Sequence, residues 1–158
     1  ALKEGFLQRN FQGYSTYADC DLVAIGVSSI GKIGSTYSQN ERDIDAYYAA
    51  LDAGHLPIMR GYQLNQDDIL RRNIIQDLMC RFSLDYQIYE SVFGIPFSRY
   101  FAAELEDMKQ LETLGLVRLK PHSLTVTPKG RFLIRNIAMV FDYHLRHKET
   151  KAKYSQTV

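Results

Sequence analysis

Three groups of residues have types and spacings that invite a chemical reading. Gly26-Val-Ser-Ser-Ile-Gly31-Lys32 follows an apolar run and fits the first seven positions of a phosphate-binding loop. The eighth position of such a loop needs a hydroxyl to ligate Mg²⁺, and Ile33 has none. A helix must also start directly behind the loop, so that its N-terminal amides hold the phosphates. Gly34-Ser-Thr-Tyr37 is a poor helix start, and no later apolar strand ends in Asp to hold a metal. Nucleotide hydrolysis is therefore not expected. Two readings of the small residues stay open: a strand end where a ligand approaches the backbone, or a tight turn served by Gly26, Gly31 and Gly34. The second group, His55, His122, His144 and His147, has no HxH or HExxH spacing, and Asp19 and Asp21 read as a turn. The third, Cys20 and Cys80, lies too far apart in sequence for a CxxC pair or a zinc ribbon. No GxSxG nucleophile elbow occurs. These residues build no active site by themselves.

Composition narrows the class. The 158 residues carry 19 Lys+Arg and 18 Asp+Glu, a net charge of +1 that excludes a basic nucleic-acid tail and an acidic disordered segment. Two cysteines point to reduced thiols in the cytosol rather than a disulfide framework. No apolar run reaches the roughly 18 residues of a membrane span, and no signal-peptide pattern opens the chain. The start at Ala1, without Met, hints weakly at a cut chain. Charge is uneven: residues 1–60 carry net −2 and residues 61–158 net +3. Texture changes too, from Gly-rich short segments to long helical periods. A boundary is expected near Leu64–Asp67, giving segments 1–64, 65–146 and a polar tail, 147–158.

The elements that must position any site follow from local pattern. Phe11–Tyr17 reads as a strand, and Leu22–Val27 as a strand covered on both faces. Ser28–Gly34 reads as a loop and Ser35–Ser38 as a short strand. Asn40 is expected to cap a helix to about Ala53, with Ile44, Tyr47, Tyr48 and Leu51 as its stripe and Gly54 as its stop. Ile58–Leu64 reads as a strand. This set is too small to close a barrel, so a doubly covered strand needs cover from the second half or from further chain.

The second half has a clearer order. Asn65 caps a helix with Ile69, Leu70, Ile74, Leu78 and Met79 inward. Ser83 is expected to cap a shorter one carrying Leu84, Ile88 and Val92, before the Gly94-Ile-Pro96 break. Ser98 opens a third, with Phe101, Leu105, Met108 and Leu111 on one face and Gly115 at its end. Leu116–Leu119 and Leu124–Thr127 form a ribbon. Thr127-Pro128 starts a last helix that uses Leu133, Ile134, Ile137, Phe141 and Leu145. This is the layout of a winged helix. Its third helix would read DNA, yet between Ser98 and Leu114 it carries net −2. Phosphate neutralisation dominates nucleic-acid affinity, so DNA is not an expected partner. The ribbon side is basic (Arg118, Lys120, Lys129, Arg131, Arg135), as a solvated face or an acidic partner's contact would be. A winged-helix nucleic-acid or protein-interaction module is the alternative function.

A family resemblance rests on longer matches. Phe11-Gln-Gly-Tyr-Ser-Thr and Asp21-Leu-Val-Ala-Ile-Gly-Val-Ser-Ser-Ile30 resemble the C-terminal part of the oxygen-independent coproporphyrinogen III oxidases (dehydrogenases). These are radical SAM enzymes of haem biosynthesis. The likeness continues through Tyr37-Ser-Gln-Asn40, Arg60-Gly61, Asp67–Asn73, Phe82–Tyr86, Val126–Ile137 and Phe141-Asp142. One departure lies in the loop, where the family commonly has Ala and Ser at the positions of Ser29 and Gly31. The resemblance implies an α+β chain, with the last strands and helix of a partial β/α-barrel-type sheet and then a mainly helical, winged-helix-like domain. It implies a parent enzyme, cytoplasmic and monomeric. That enzyme cleaves S-adenosylmethionine at a [4Fe–4S] cluster and turns propionates of coproporphyrinogen III into vinyls, giving protoporphyrinogen IX. The CxxxCxxC cluster motif is absent here, so the chain is expected to be a fragment, inactive alone, whose partner is the N-terminal barrel of the same polypeptide. Ile30 matches a family position touching S-adenosylmethionine, and Phe11 and Gln12 match positions lining the cofactor cavity. No catalytic residue, metal ligand, nucleic acid or membrane contact is implied for this chain. A substrate with four propionates calls for basic side chains, with Arg9, Arg60 and Arg135 as candidates.

Overall fold

The structure is a computed structural model that describes residues 7–10, 13–17 and 20–147. Phe11, Gln12, Asp19 and nearly all of the expected polar tail lie outside the described residues. The chain divides into two compact units between Ile69 and Leu70.

The first unit is built from antiparallel hairpins. β1 (Gln8–Asn10) pairs with β2 (Gly13–Ser15). β3 (Ile30–Ile33) turns through Gly34 and Ser35 into β4 (Thr36–Asn40), and β5 (Ile58–Gln63) joins β4 on its other side. A register shift marks Gln39/Asn40. α1 (Ile44–Asp52) connects β4 to β5. Every named strand pairing of this unit is antiparallel, whereas neighbours in a β/α barrel run parallel.

Two expectations fail here for physical reasons. Leu22–Val27 is not a covered strand. It makes one bridge, Leu22 to Lys32, and leaves Val23 and Ile25 67% and 83% exposed. The Ala24, Ile25 and Gly26 carbonyls accept from side chains instead of a ladder. Asn40 does not cap α1 either. Asp43 does, its Oδ1 accepting from the amides of Asp45 and Ala46. The expected stripe of α1 is largely uncovered, with Ile44, Tyr48 and Leu51 exposed. Gly54 (φ 74°) ends the helix in the left-handed conformation, as expected.

The second unit contains every buried hydrophobic side chain among the described residues. Its first helix, α2 (Gln66–Arg81), starts with a reciprocal cap. The Asn65 Oδ1 accepts from the Asp68 amide, and the Asp68 Oδ2 accepts from the Asn65 amide. Leu70, Ile74, Leu78 and Met79 point inward as the spacing predicts. β6 (Ser83–Asp85), β7 (Val117–Lys120) and β8 (Ser123–Val126) form an antiparallel sheet in the order β6-β8-β7. Between them lie α3 (Tyr86–Phe93), α4 (Phe97–Tyr100) and α5 (Ala102–Thr113).

Ser83 is thus a strand residue, and Asp85 caps α3 through the Gln87 amide. The inward face of α3 is Tyr86 and Tyr89, while Ile88 and Val92 face solvent. The tyrosines win because their rings stack into an aromatic run: Tyr86 lies on Phe97 at 4.3 Å, and Phe97 on Phe101 at 4.8 Å. The Tyr89 hydroxyl donates to Asp77 at 2.6 Å. The third helix starts earlier than Ser98 and breaks at Phe101, with Phe101 and Met108 fully buried. The last helix is three short pieces: α6 (Pro128–Arg131), α7 (Ile134–Met139) and α8 (Tyr143–Arg146). Thr127 caps α6 through the Gly130 amide, with Pro128 at its first position.

Two features tie this unit together. The Arg71 guanidinium pairs with Glu104 at 2.8 Å, donates to the Phe141 carbonyl and lies over the Phe101 and Tyr143 rings. Gly130 lets α6 press against the sheet: a Cβ there would stand 2.0 Å from the Leu116 carbonyl oxygen.

Two predictions follow from these contacts. Gly130→Ala must move backbone, and it is expected to cost about 3 kcal/mol in a denaturant melt. The Tyr86 hydroxyl is buried without a partner, and desolvation, with Glu112 nearby, pushes its pKa up to about 12. The folded chain therefore holds this proton more tightly than the unfolded chain. The stability it contributes is complete below the usual tyrosine value near 10 and is lost as pH rises toward 12. Tyr86→Phe is expected to raise stability by about 1 kcal/mol at pH 7 and to soften the alkaline loss, in melts run at both pH values.

Candidate functional site

Of the matched positions, Ile30 is among the described residues, at the end of the segment that runs from Ala24. Gly26 (φ 97°) and Ser28 (φ 62°) both adopt left-handed backbone, which in Ser28 carries strain that the surroundings must hold. The holding groups are specific. The buried Asn40 donates its Nδ2 to the Gly26 carbonyl at 2.9 Å and to the Ala24 carbonyl at 3.4 Å. The Tyr47 hydroxyl accepts from the Gly26 amide at 3.1 Å, so α1 braces the turn. The Ser28 amide donates to the Glu41 carbonyl and the Asn40 amide to the Ser29 carbonyl. The Ser29 hydroxyl closes on the Ile25 carbonyl at 2.7 Å. Gln39 adds a relay: its Nε2 donates to the Ser28 carbonyl, while its Oε1 accepts from Arg60 at 2.6 and 2.9 Å.

Ile30 emerges from this braced turn as the first residue of β3, opposite Gln39 and half-buried. Its side chain offers an apolar wall beside a fixed backbone, which suits the adenine or methionine part of a cofactor. The glycines resolve toward packing and turns. A Cβ on Gly31 would meet the Leu22 carbonyl at 3.0 Å and the Ala24 methyl at 3.3 Å, so that space belongs to the neighbouring segment. Gly34 (φ 57°) makes the hairpin turn, and the Asp21 carboxylate accepts from its amide at 2.8 Å. A strand follows this turn, and the phosphate-loop geometry is absent.

The basic candidates separate. Arg60 is engaged by Gln39, and the Arg9 guanidinium lies 5.4 Å from the Tyr14 ring centroid. Arg135 is exposed on α7. Among the described residues no three His, Cys, Asp or Glu side chains gather as a metal site requires. Cys80 is buried and Cys20 exposed, so this chain's two thiols do not fit a cluster that needs three. Asn40, Gln39 and Tyr47 were not singled out as functional from the sequence. Gln39 and Asn40 carry one signal, their place in the matched stretch Tyr37-Ser-Gln-Asn40; a second is negative, since an apolar run with no partner strand needs side-chain donors.

Comparison with known proteins places this geometry. Residues 64–133 match the HemN C-terminal domain. The oxygen-independent coproporphyrinogen III oxidase of Pseudomonas aeruginosa is 48% identical over 92% of this chain and 32% of that protein. The enzyme of the same name from Synechocystis sp. is 43% identical over 100% of this chain and 35% of that protein. A solved structure, coproporphyrinogen III oxidase (HemN) from Escherichia coli, described as a radical SAM enzyme, superposes with a TM-score of 0.88 at 44% identity. It is covered over 91% of this chain and 33% of its own. Residues 64–133 are thus similar to a HemN C-terminal domain. Along nearly its whole length the chain is similar to the oxygen-independent coproporphyrinogen III oxidases, and it spans about a third of the length of those it matches.

The brace is testable. Asn40→Ala removes the side-chain donor shared by two carbonyls and is expected to cost about 2 kcal/mol. Hydrogen exchange should show the amides of Ser28 and Asn40 losing protection before those of α2. Unchanged stability and exchange would refute the bracing role.

Proposed function

We propose that this chain is the C-terminal part of a radical SAM coproporphyrinogen III dehydrogenase. The whole protein would oxidatively decarboxylate propionates of coproporphyrinogen III to vinyl groups, yielding protoporphyrinogen IX. The observation that carries the reading is the 44% identity and 0.88 TM-score to an enzyme so described, over 91% of this chain. S-adenosylmethionine bound at a [4Fe–4S] cluster would supply the oxidising radical. The cluster's thiolates would come from chain beyond residues 1–158, since this chain lacks the three it needs.

In this reading residues 1–64 end the catalytic domain, and Ile30 forms part of the cofactor wall, with Phe11 and Gln12 as further lining. The Asn40 and Gln39 bonds would keep Ile30 in place while ligands come and go. The first unit supports the need for more chain. It has no buried hydrophobic side chain among the described residues and exposes Tyr17, Val23, Ile25 and Leu56 at 67–83%. Large apolar side chains exposed in this way suit a contact region. Residues 65–146 form the winged-helix-like domain, a reading supported by the order α2, β6, α3, α4–α5, β7, β8 and by the β6-β8-β7 sheet. Its third helix is acidic, which argues against DNA as its ligand. The parent would act as a cytoplasmic monomer, and no helix among the described residues is long and apolar enough to cross a membrane.

Three measurements test this. The whole-length protein, with its cluster reconstituted anaerobically, should convert coproporphyrinogen III to protoporphyrinogen IX. The 158-residue chain alone should produce no 5′-deoxyadenosine above a no-protein control. Ile30→Asp in the whole-length protein should weaken S-adenosylmethionine binding by about tenfold or more, because a carboxylate replaces apolar contact. Unchanged affinity with unchanged folding would remove Ile30 from the site.

A further inference from the structure

β3, β4 and β5 bring three side chains into one row. Gln39 on β4 stands opposite Ile30 on β3 and opposite Arg60 on β5. Residues directly opposed across a sheet project to the same face, with Cβ atoms about 5 Å apart. Ile30 is therefore flanked by Gln39, and Gln39 by Arg60.

The bonds within this row have a direction. A guanidinium only donates, so it meets only the oxygen of a carboxamide. Arg60 does so twice, with Nε at 2.9 Å and Nη2 at 2.6 Å from the Gln39 Oε1. A backbone carbonyl only accepts, and the Gln39 Nε2 donates to that of Ser28 at 3.2 Å. A donor on one side and an acceptor on the other admit a single orientation of the amide. Ser28 is the left-handed residue of the turn (φ 62°), two positions before Ile30. Its amide donates to the Glu41 carbonyl at 2.7 Å, so the Gln39 bond secures the same residue from its carbonyl side.

Asn40 holds the other end of the turn, at Ala24 and Gly26, and is buried. Arg60 is exposed and adds nothing to a core, so what it contributes is orientation. Two of its three guanidinium nitrogens meet one oxygen, and gripping a substrate carboxylate with that fork would require releasing Gln39. We infer that Arg60 is a positioning residue for the cofactor wall: through the Gln39 carboxamide it holds the Ser28 carbonyl, and with it the backbone that sets Ile30. This deepens the proposed function and rests on it. In this role Arg60 acts through Gln39 and not by contact with the cofactor.

The first test uses the 158-residue chain and needs no cofactor. Arg60→Met keeps most of the side chain's length and removes its donors. Gln39→Glu keeps the Arg60 contact and removes the donor to Ser28. Hydrogen exchange at the Ser28 amide should quicken by about fivefold in each, the size of one modest hydrogen bond. The Asp68 amide, bonded in the cap of α2, should exchange as before. Unchanged Ser28 exchange in either variant overturns the inference.

The second test uses the whole-length protein with its cluster reconstituted. Both variants should weaken S-adenosylmethionine binding by about fivefold and leave KM for coproporphyrinogen III unchanged. Gln39→Glu is the decisive one. It turns the Arg60 contact into an ion pair, so thermal stability should hold or rise while cofactor affinity falls. A role in folding alone would move the two together. In a Gln39→Ala background, Arg60→Met should add nothing, because the guanidinium then has no amide to orient. Full cofactor affinity in either single variant overturns the positioning role. So does a raised coproporphyrinogen III KM in Arg60→Met with cofactor affinity intact. Absence of S-adenosylmethionine binding by the unaltered protein would sink the proposed function, and this inference with it, whatever the Ser28 exchange shows.

Discussion

The second unit depends on one nearly buried charge. Arg71 sits in α2 and reaches Glu104 in α5, the Phe141 carbonyl after α7, and the rings of Phe101 and Tyr143. One guanidinium thereby fixes the first helix, the third helical segment and the trailing segment to one another. The pair is largely out of water, with side-chain exposures of 11% and 7%. Desolvation offsets most of its attraction, so its value lies less in net stability than in what its breakage exposes. An unpaired carboxylate or guanidinium in that place costs several kcal/mol, and this restricts how the helices can slip. The aromatic run from Tyr86 through Phe97 and Phe101 to Phe141 then fills the space this pairing defines.

The first unit solves a different problem. Its hydrophobic residues are not gathered into a core of their own, so order comes from polar bonds between backbone and side chain. Asn40, Tyr47, Gln39 and Asp21 each satisfy a backbone group in a segment without a complete ladder. The turn before Ile30 can then hold two left-handed residues without a large apolar anchor. A site built in this way has its geometry set by hydrogen bonds and leaves its apolar surface available for contact.

Local chemistry made much of this legible. The Asn65 cap, the Thr127-Pro128 start and the stops at Gly54, Gly94 and Gly115 all follow from residue type, because each is settled within a turn of chain. The inward face of α2 was legible for the same reason. What was not legible depended on distant partners. Ser83 joins a sheet because β8 arrives 40 residues later. Tyr86 and Tyr89 turn inward because Phe97 and Asp77 receive them, and Ile88 and Val92 are left facing solvent. Leu22–Val27 looked like a covered strand since an apolar run says nothing about whether a neighbour exists. At the site, Ile30 came from resemblance, while its supports, Asn40 and Gln39, emerged only when the backbone brought them across from β4.

β5 carries one more implication. All six of its residues are exposed, and it forms the outer edge of its sheet with Ile58, Met59 and Tyr62 on view. An edge strand of this kind offers backbone groups to which a further strand can add. In concentrated solution the isolated polypeptide can pair with a second copy along that line. A lysine placed at Met59 is the simplest way to keep such a preparation monodisperse.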